Sequence, residues 1–132
     1  MKLEAHESRG SMLSESYARS VEERLTYVAR IRSEVSKDVV SSYDFRSLQK
    51  GLLSYISSLK SLIITVPRDV LGENFLPLYR RIGGLEPLVL RATDTNQLLK
   101  YLEAADDAFV ELVNALFRAG VISSGRTPQI KG

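Results

Sequence analysis

Apolar side chains recur every three or four positions along three long stretches of this chain. That period leaves little besides α-helix open to it. The first stretch carries Tyr17, Val21, Leu25, Val28, Ile31, Val35 and Val39. This is one stripe over about six helical turns, with Arg19, Glu23, Thr26, Arg30, Ser33 and Lys37 on the opposite side. The second carries Phe45, Leu48, Leu52, Ile56, Leu59 and Ile63, widened by Leu53, Tyr55, Leu62 and Val66, and so predicts the most buried helix. The third carries Leu98, Leu99, Leu102, Ala105, Phe109, Leu112, Val113, Leu116 and Phe117, backed by Lys100, Glu103, Asp107, Glu111, Asn114 and Arg118. No segment alternates with the period of two that a half-buried strand requires. "SLIITV" is rich in β-branched residues, but it continues the helical stripe before it.

Stop and start signals divide these stretches. Ser14 or Ser16 can cap the first helix, which is expected to end near Ser41, and Asp44 can cap the second. Pro67 ends the second, because the residue before a proline is pushed out of helical geometry. "PRDVLGEN" predicts a single turn over Pro67–Leu71 closed by Gly72. Phe75 to Ile82 fits a short helix with Pro77 in its first turn and Gly83 as a left-handed stop. "LEPLVL" is a further turn or an extended crossover; Thr93, Asp94 or Thr95 caps the last helix and Gly120 terminates it. The expectation is an all-α fold: a compact bundle of three long amphipathic helices plus one or two short helices in a Pro/Gly-rich crossover. Residues 14–120 form the bundle domain, 1–13 an N-terminal tail whose "RGSM" end resembles an expression-vector junction, and 121–132 a polar C-terminal tail.

Composition narrows the chemistry. With 132 residues, 44% hydrophobic and 26% charged, the chain has enough apolar content for one core and too much for disorder. The absence of cysteine excludes disulfides, thiolate metal sites and thiol nucleophiles, is compatible with a reducing cytoplasm, and fits, together with few asparagines, glutamines and methionines, a thermophilic source. His6 is the only histidine and lies in the tail, so neither a Glu-x-x-His di-iron site nor a histidine-activated serine is available in the core. No glycine precedes Lys-Ser or Lys-Thr as in a P-loop. Glu103, Asp107 and Glu111 share a helix face at i, i+4 spacing; they form either a solvated surface or an oxygen-ligand site for a hard cation, and the surface is the expectation. Lys60 reads as a lysine snorkelling from the edge of the second helix. The apolar run Ser61–Pro67 is far shorter than the ~20 residues a membrane span needs, and Glu4, His6, Glu7 and Arg9 break any secretory signal. These readings predict no enzyme activity, no cofactor, no metal, no membrane and no small-molecule substrate, with a cytoplasmic location.

What remains is interaction. The net charge is +2, unevenly spread: residues 44–91 carry seven basic and four acidic groups, and residues 92–119 carry two basic and five acidic. The two segments can attract each other within one molecule or between copies. In "FLPLYRRIGGLEP", a helical corner, Arg80 and Arg81 project about 100° apart, so a single ligand can meet only one of them. They form either an anion site with the amides after Gly83-Gly84 or structural pairs with Asp106 or Asp107. On the second helix Arg46, Lys50, Ser54, Ser57 and Ser61 share a polar face beside Ser47 and Ser58. Its small side chains would let a helix or a nucleic-acid strand come close. Phe45, Phe109 and Phe117 read as core; Tyr27, Tyr43, Tyr79 and Tyr101 lie nearer the boundaries.

The leading expectation is therefore a non-enzymatic helical-bundle subunit that acts through a protein partner or self-association in a larger assembly. The alternative is a nucleic-acid-contacting helical subunit. By fold-level analogy only, it would be of the kind found as small subunits of RNA-guided effectors or as coat proteins of filamentous viruses. A third possibility is a small enzyme whose substrate supplies the chemistry, which would need a deep polar pocket between the first and last long helices. For either kind of binding the candidate contacts are Arg46, Lys50, Lys60, Arg68, Tyr79, Arg80, Arg81 and Arg91, with Arg126 and Lys131 as auxiliary cations for nucleic acid. Inward-facing positions are expected to carry no group able to do chemistry.

Overall fold

In a computed structural model the backbone is described for residues 2–41, 44–66 and 68–122, and side chains over the same range apart from 2–17, 38, 40 and 41. All regular structure among these residues is helical: α1 (Lys2–Ser41), α2 (Phe45–Thr65), α3 (Arg68–Leu71), a 3₁₀ turn (Gly72–Asn74), α4 (Phe75–Gly83), α5 (Leu85–Arg91) and α6 (Thr95–Arg118). The hub is α2, which touches α1, α4, α5 and α6. Its buried positions, Leu48, Leu52, Tyr55, Ile56, Ser58, Leu59, Leu62 and Ile63, cover more than the one stripe needed to meet a single neighbour. Around them Val21, Leu25 and Val28 of α1, Leu78 and Ile82 of α4, Val89 of α5 and Phe109, Leu112 and Leu116 of α6 close one continuous core. Tyr55 and Phe109, both fully buried, meet edge to face with ring centroids 6.2 Å apart.

Two of the expected stripes are refined, on α1 and on α6. On α1 the seam runs Val21, Leu25, Val28, Arg32, Val35, with Arg32 buried and Ile31 only half-buried. On α6 Phe117, expected in the core, is 51% exposed, and Leu99 is also exposed. Leu98 and Leu116 take the inward direction, and a neighbouring residue lies about 100° round the helix from it.

The ends of the elements follow local chemistry. Helix α1 begins at Lys2, well before Ser14. Extending a formed helix costs far less than nucleating one, and Ala5, Glu7, Met12 and Leu13 are good helix formers. Asp44 is the N-cap of α2, and its carboxylate accepts the Ser47 hydroxyl at 2.8 Å, which holds its pKa below the usual range. Asp94 caps α6 by accepting from Gln97 N at 2.9 Å, while Gln97 Oε1 accepts from Thr93 N at 2.7 Å, a relative of the capping box. At the far end Val121 N reaches Leu116 O and Gly120 N reaches Phe117 O, both at 3.0 Å, with Gly120 at φ +76°. This is a Schellman stop. Ile122 is buried beyond it, so core contact continues two residues past Gly120. Residues 123–132, with Arg126 and Lys131, lie outside the described residues.

The corner differs from expectation at its double glycine. Gly83 ends α4, and Gly84 is right-handed (φ −67°, ψ −18°) with its N–H on Arg80 O at 2.8 Å. The chain thus passes from one short helix into the next without a left-handed residue. "LEPLVL" is helical, because Pro87 falls in the first turn of α5, where its missing N–H leaves nothing unpaired.

Candidate functional site

The core contains ionisable groups after all. Asp106 on α6 is 4% exposed and Arg32 on α1 is 8% exposed. Arg32 Nε donates to Asp106 Oδ1 at 2.7 Å and Nη2 to Oδ2 at 2.9 Å, a bidentate fork. The Tyr55 hydroxyl of α2 donates to the same Oδ1 at 2.6 Å, and Arg32 Nη1 reaches Ser36 Oγ at 2.6 Å. The guanidinium lies 5.9 Å from the Tyr55 ring centroid. Burial and the Asp106 carboxylate both push the Tyr55 hydroxyl far above the ordinary tyrosine range. Burial alone would lower the Arg32 pKa, but the hydrogen bonds and charge of Asp106 outweigh it and the pKa rises. Among the described residues no buried side-chain nitrogen or oxygen lacks a partner. Tyr55 holds its proton too tightly to act as an acid near neutrality, and both Asp106 oxygens are occupied. The cluster joins α1, α2 and α6 instead of presenting a reactive group. Asp106 is thereby spent on Arg32, which corrects the expectation that it pairs with Arg80 or Arg81.

The open site lies on the other face of α2. A groove of about 880 Å³ is floored by Ser54, Ser57, Ser58 and Ser61. Helix α1 forms one wall with Arg24 and Tyr27, and α5 forms the other with Glu86, Pro87 and Leu90. Lys50 and Ser54 also line a second hollow of about 370 Å³, which continues between α1 and α2 past Arg30, Glu34 and Gly51. The chain builds this trough from size differences. Serine floors are low, and helices on either side carry long side chains. Tyr27 is 43% exposed and Leu90 63%, so the walls show apolar surface to solvent. The Arg30 guanidinium stands 5.6 Å from the Tyr27 ring centroid. Gln49 Nε2 donates to Val89 O at 2.9 Å, tying α5 to α2 at one end of the trough. Lys60 Nζ meets Glu86 Oε1 at 2.8 Å at its edge, which raises the lysine pKa through that hydrogen bond.

The eight expected contacts do not converge. Lys50 lines both hollows. Lys60 is held by Glu86, and Arg81 pairs with Glu111 at 2.7 Å on the exposed surface, so its acid is neither Asp106 nor Asp107. Arg68 lies over the Phe75 ring at 5.1 Å, and Phe75 stacks on Tyr79 at 6.1 Å, away from the serine floor in sequence and element. Arg46, Arg80 and Arg91 are exposed on α2, α4 and α5. The groove residues that the sequence did not mark as contacts are Arg24, Tyr27 and Arg30 on α1, Leu53 on α2, and Pro87 and Leu90 on α5. Only the serine face was visible, since pattern alone does not say which elements flank it. For Arg32 a signal existed: positions 21, 25, 28, 32 and 35 keep the heptad spacing, and 32 is its one charged member.

Among the described residues no group of three His, Cys, Asp or Glu side chains is placed to hold a metal ion, and Glu103, Asp107 and Glu111 are exposed. No described helix is long and apolar enough to cross a membrane. Searches against protein-family models, curated proteins and solved structures returned no match.

Proposed function

We propose that this protein is a non-enzymatic helical subunit of a larger assembly, and that its serine-floored groove receives a helix from a protein partner. Three long helices, with the Pro/Gly-rich corner between the second and third, serve as the frame that holds the groove open. The carrying observation is the groove itself. Its floor of small side chains admits a helix backbone closely, and its walls expose Tyr27 and Leu90. Arg24, Arg30 and Lys50 give it a basic rim against Glu34, Glu86 being engaged by Lys60. An amphipathic helix with acidic flanks matches that lining, in the helix-in-groove mode of recognition. The test is fluorescence anisotropy with a labelled peptide of about 20 residues of Leu, Ala and Glu, arranged as an acidic amphipathic helix. Binding that disappears in Ser57→Trp, which fills the floor from an exposed position, supports the reading. Binding that is unchanged by Ser57→Trp refutes it.

The presence of three cations on the rim favours a second reading, in which the groove tracks a nucleic-acid backbone. Leu53, Pro87 and Leu90 fit a protein better, and Lys60 and Arg81 are already committed to carboxylates. A gel shift at low and high salt separates the two, because phosphate binding falls steeply as salt rises. No shift at low salt removes the second reading.

A further inference from the structure

We infer that the helix received by the groove is α6 of a second copy of this chain, so that copies associate head to tail; this rests on the groove being a helix-docking site. The solvent face of α6 is built as a complement to it. Leu99, Val110 and Phe117 are all exposed and fall within about 20° of one another around the helix axis, over about 27 Å of length. Glu103 and Asp107 lie on the same flank, with Glu111 beyond them held by Arg81. The face is thus an apolar line flanked by Glu103 and Asp107 along its middle and by Lys100 and Arg118 at its two ends, left uncovered by the protein's own fold. The groove offers the opposite: exposed Tyr27 and Leu90 beside Arg24, Arg30 and Lys50. Ile64, 63% exposed, extends the α2 floor one turn beyond Ser61 at the same helical spacing. From Lys50 to Ile64 the floor is about 21 Å long, comparable to the α6 line.

Charge complementarity selects the second copy. The α6 segment carries the chain's acidic surplus, and the groove draws on its basic α2 segment together with two arginines of α1. Within one molecule Arg32 takes Asp106 and Arg81 takes Glu111, which leaves Glu103 and Asp107 of that segment facing solvent, because α6 meets α2 through its buried face. Donor and acceptor share no residue, so the contact is heterologous. Each added copy brings a fresh groove and a fresh α6, and the product is a ring or an open filament. A single contact of this size belongs with weak interfaces; repetition gives it strength.

The test is sedimentation velocity on the full chain over a wide concentration range at low salt. Average mass should rise with concentration and fall back as salt is added. Ser57→Trp, which blocks the groove, and Val110→Lys, which spoils the α6 face, should each yield monomers. Mixing the two should yield dimers and nothing larger, because one working groove then meets one working α6. Lys50→Glu should weaken association about tenfold, and Glu103→Lys in the same chain should restore part of it. Circular dichroism checks that every variant remains folded. Association that ignores the Ser57 and Val110 changes would place the contact elsewhere and overturn the inference. A chain that stays monomeric at the highest concentration, yet binds the acidic peptide through the groove, would overturn the second copy and leave the groove reading intact. Failure to bind that peptide as well would remove both.

Discussion

Removing Asp106 strands two buried groups at once. The Arg32 guanidinium, 8% exposed, loses two hydrogen bonds, and the Tyr55 hydroxyl loses its acceptor. Breaking a buried ion pair from one side costs about 3–5 kcal/mol, because the surviving charge stays out of water without a partner. A hydroxyl left without its acceptor adds about 1–3 kcal/mol. The whole domain is worth only about 5–15 kcal/mol, so Asp106→Leu alone should bring the chain close to unfolding at room temperature. The informative experiment therefore runs in a Tyr55→Phe background, which removes the stranded hydroxyl from the comparison. There Arg32→Met and Asp106→Leu should each cost about 3–5 kcal/mol, while the double variant should lie within about 1 kcal/mol of the background or above it. Equilibrium urea unfolding followed at 222 nm reads all four proteins, and a common m-value shows that they unfold from the same native state. If either single change costs under about 1 kcal/mol, the pair is solvated in practice. If the double variant loses the sum of the two singles, the groups act independently, and the coupling drawn from the 2.7 and 2.9 Å contacts is wrong.

The Tyr55 pKa is raised in the folded state, so its contribution is complete below the unfolded value near 10 and is lost as pH climbs above it; by pH 11 wild type should have lost about 1.4 kcal/mol that Tyr55→Phe does not lose, measured by urea unfolding at each pH. Gly120→Ala places a side chain at φ +76° and should lower stability by about 1 kcal/mol with no change in helix content. Leu52→Ala, from a fully buried site on the hub, should cost about 2–5 kcal/mol, whereas Phe117→Ala should move monomer stability by about 0.5 kcal/mol or less, although both residues sit on apolar stripes in the sequence.

Period and punctuation carried the secondary structure a long way. Val21, Leu25 and Val28, the α2 series from Leu48 to Ile63, and Leu98 to Leu116 all announce helices; Asp94 and Gly120 mark ends because each meets a backbone requirement that few residues can satisfy, and Asp44 stands at the N-cap of α2. "LEPLVL" was ambiguous between turn and crossover, since six residues hold too little periodicity and Pro87 is compatible with both. A stripe also gives direction only to within a row of side chains. Leu98 and Leu99 look equivalent in a list of apolar positions, yet one is fully buried and the other exposed, and Phe109 and Phe117 divide in the same way. What decides is the neighbour across the interface, which in a helical protein is fixed by long-range packing. The candidate site was half legible for that reason. The serine face of α2 shows in a helical wheel, but its walls come from residues 24–30 and 86–90, brought to it only by the tertiary fold.

The buried cluster and the open groove are connected through α1. Arg32 points into the core nine residues before the end of α1, and Arg30 and Glu34, two residues to either side, point into the hollow beside Lys50 and Gly51. A purely apolar seam between α1 and α2 would tolerate a slide of one turn, because Val, Leu and Ile fill one another's places at modest cost. Such a slide would carry Arg24, Tyr27 and Arg30 about 5.4 Å along the serine floor and put the groove out of register with any partner. The Arg32 fork tolerates no such movement: it fits Asp106 at one setting, and Tyr55 fixes that carboxylate from α2. Ion pairs of this kind contribute little net stability over an apolar replacement. Their value here lies in setting the position of a wall, so the Arg32→Met, Asp106→Leu, Tyr55→Phe chain, though stable, should bind the acidic helical peptide more weakly than wild type.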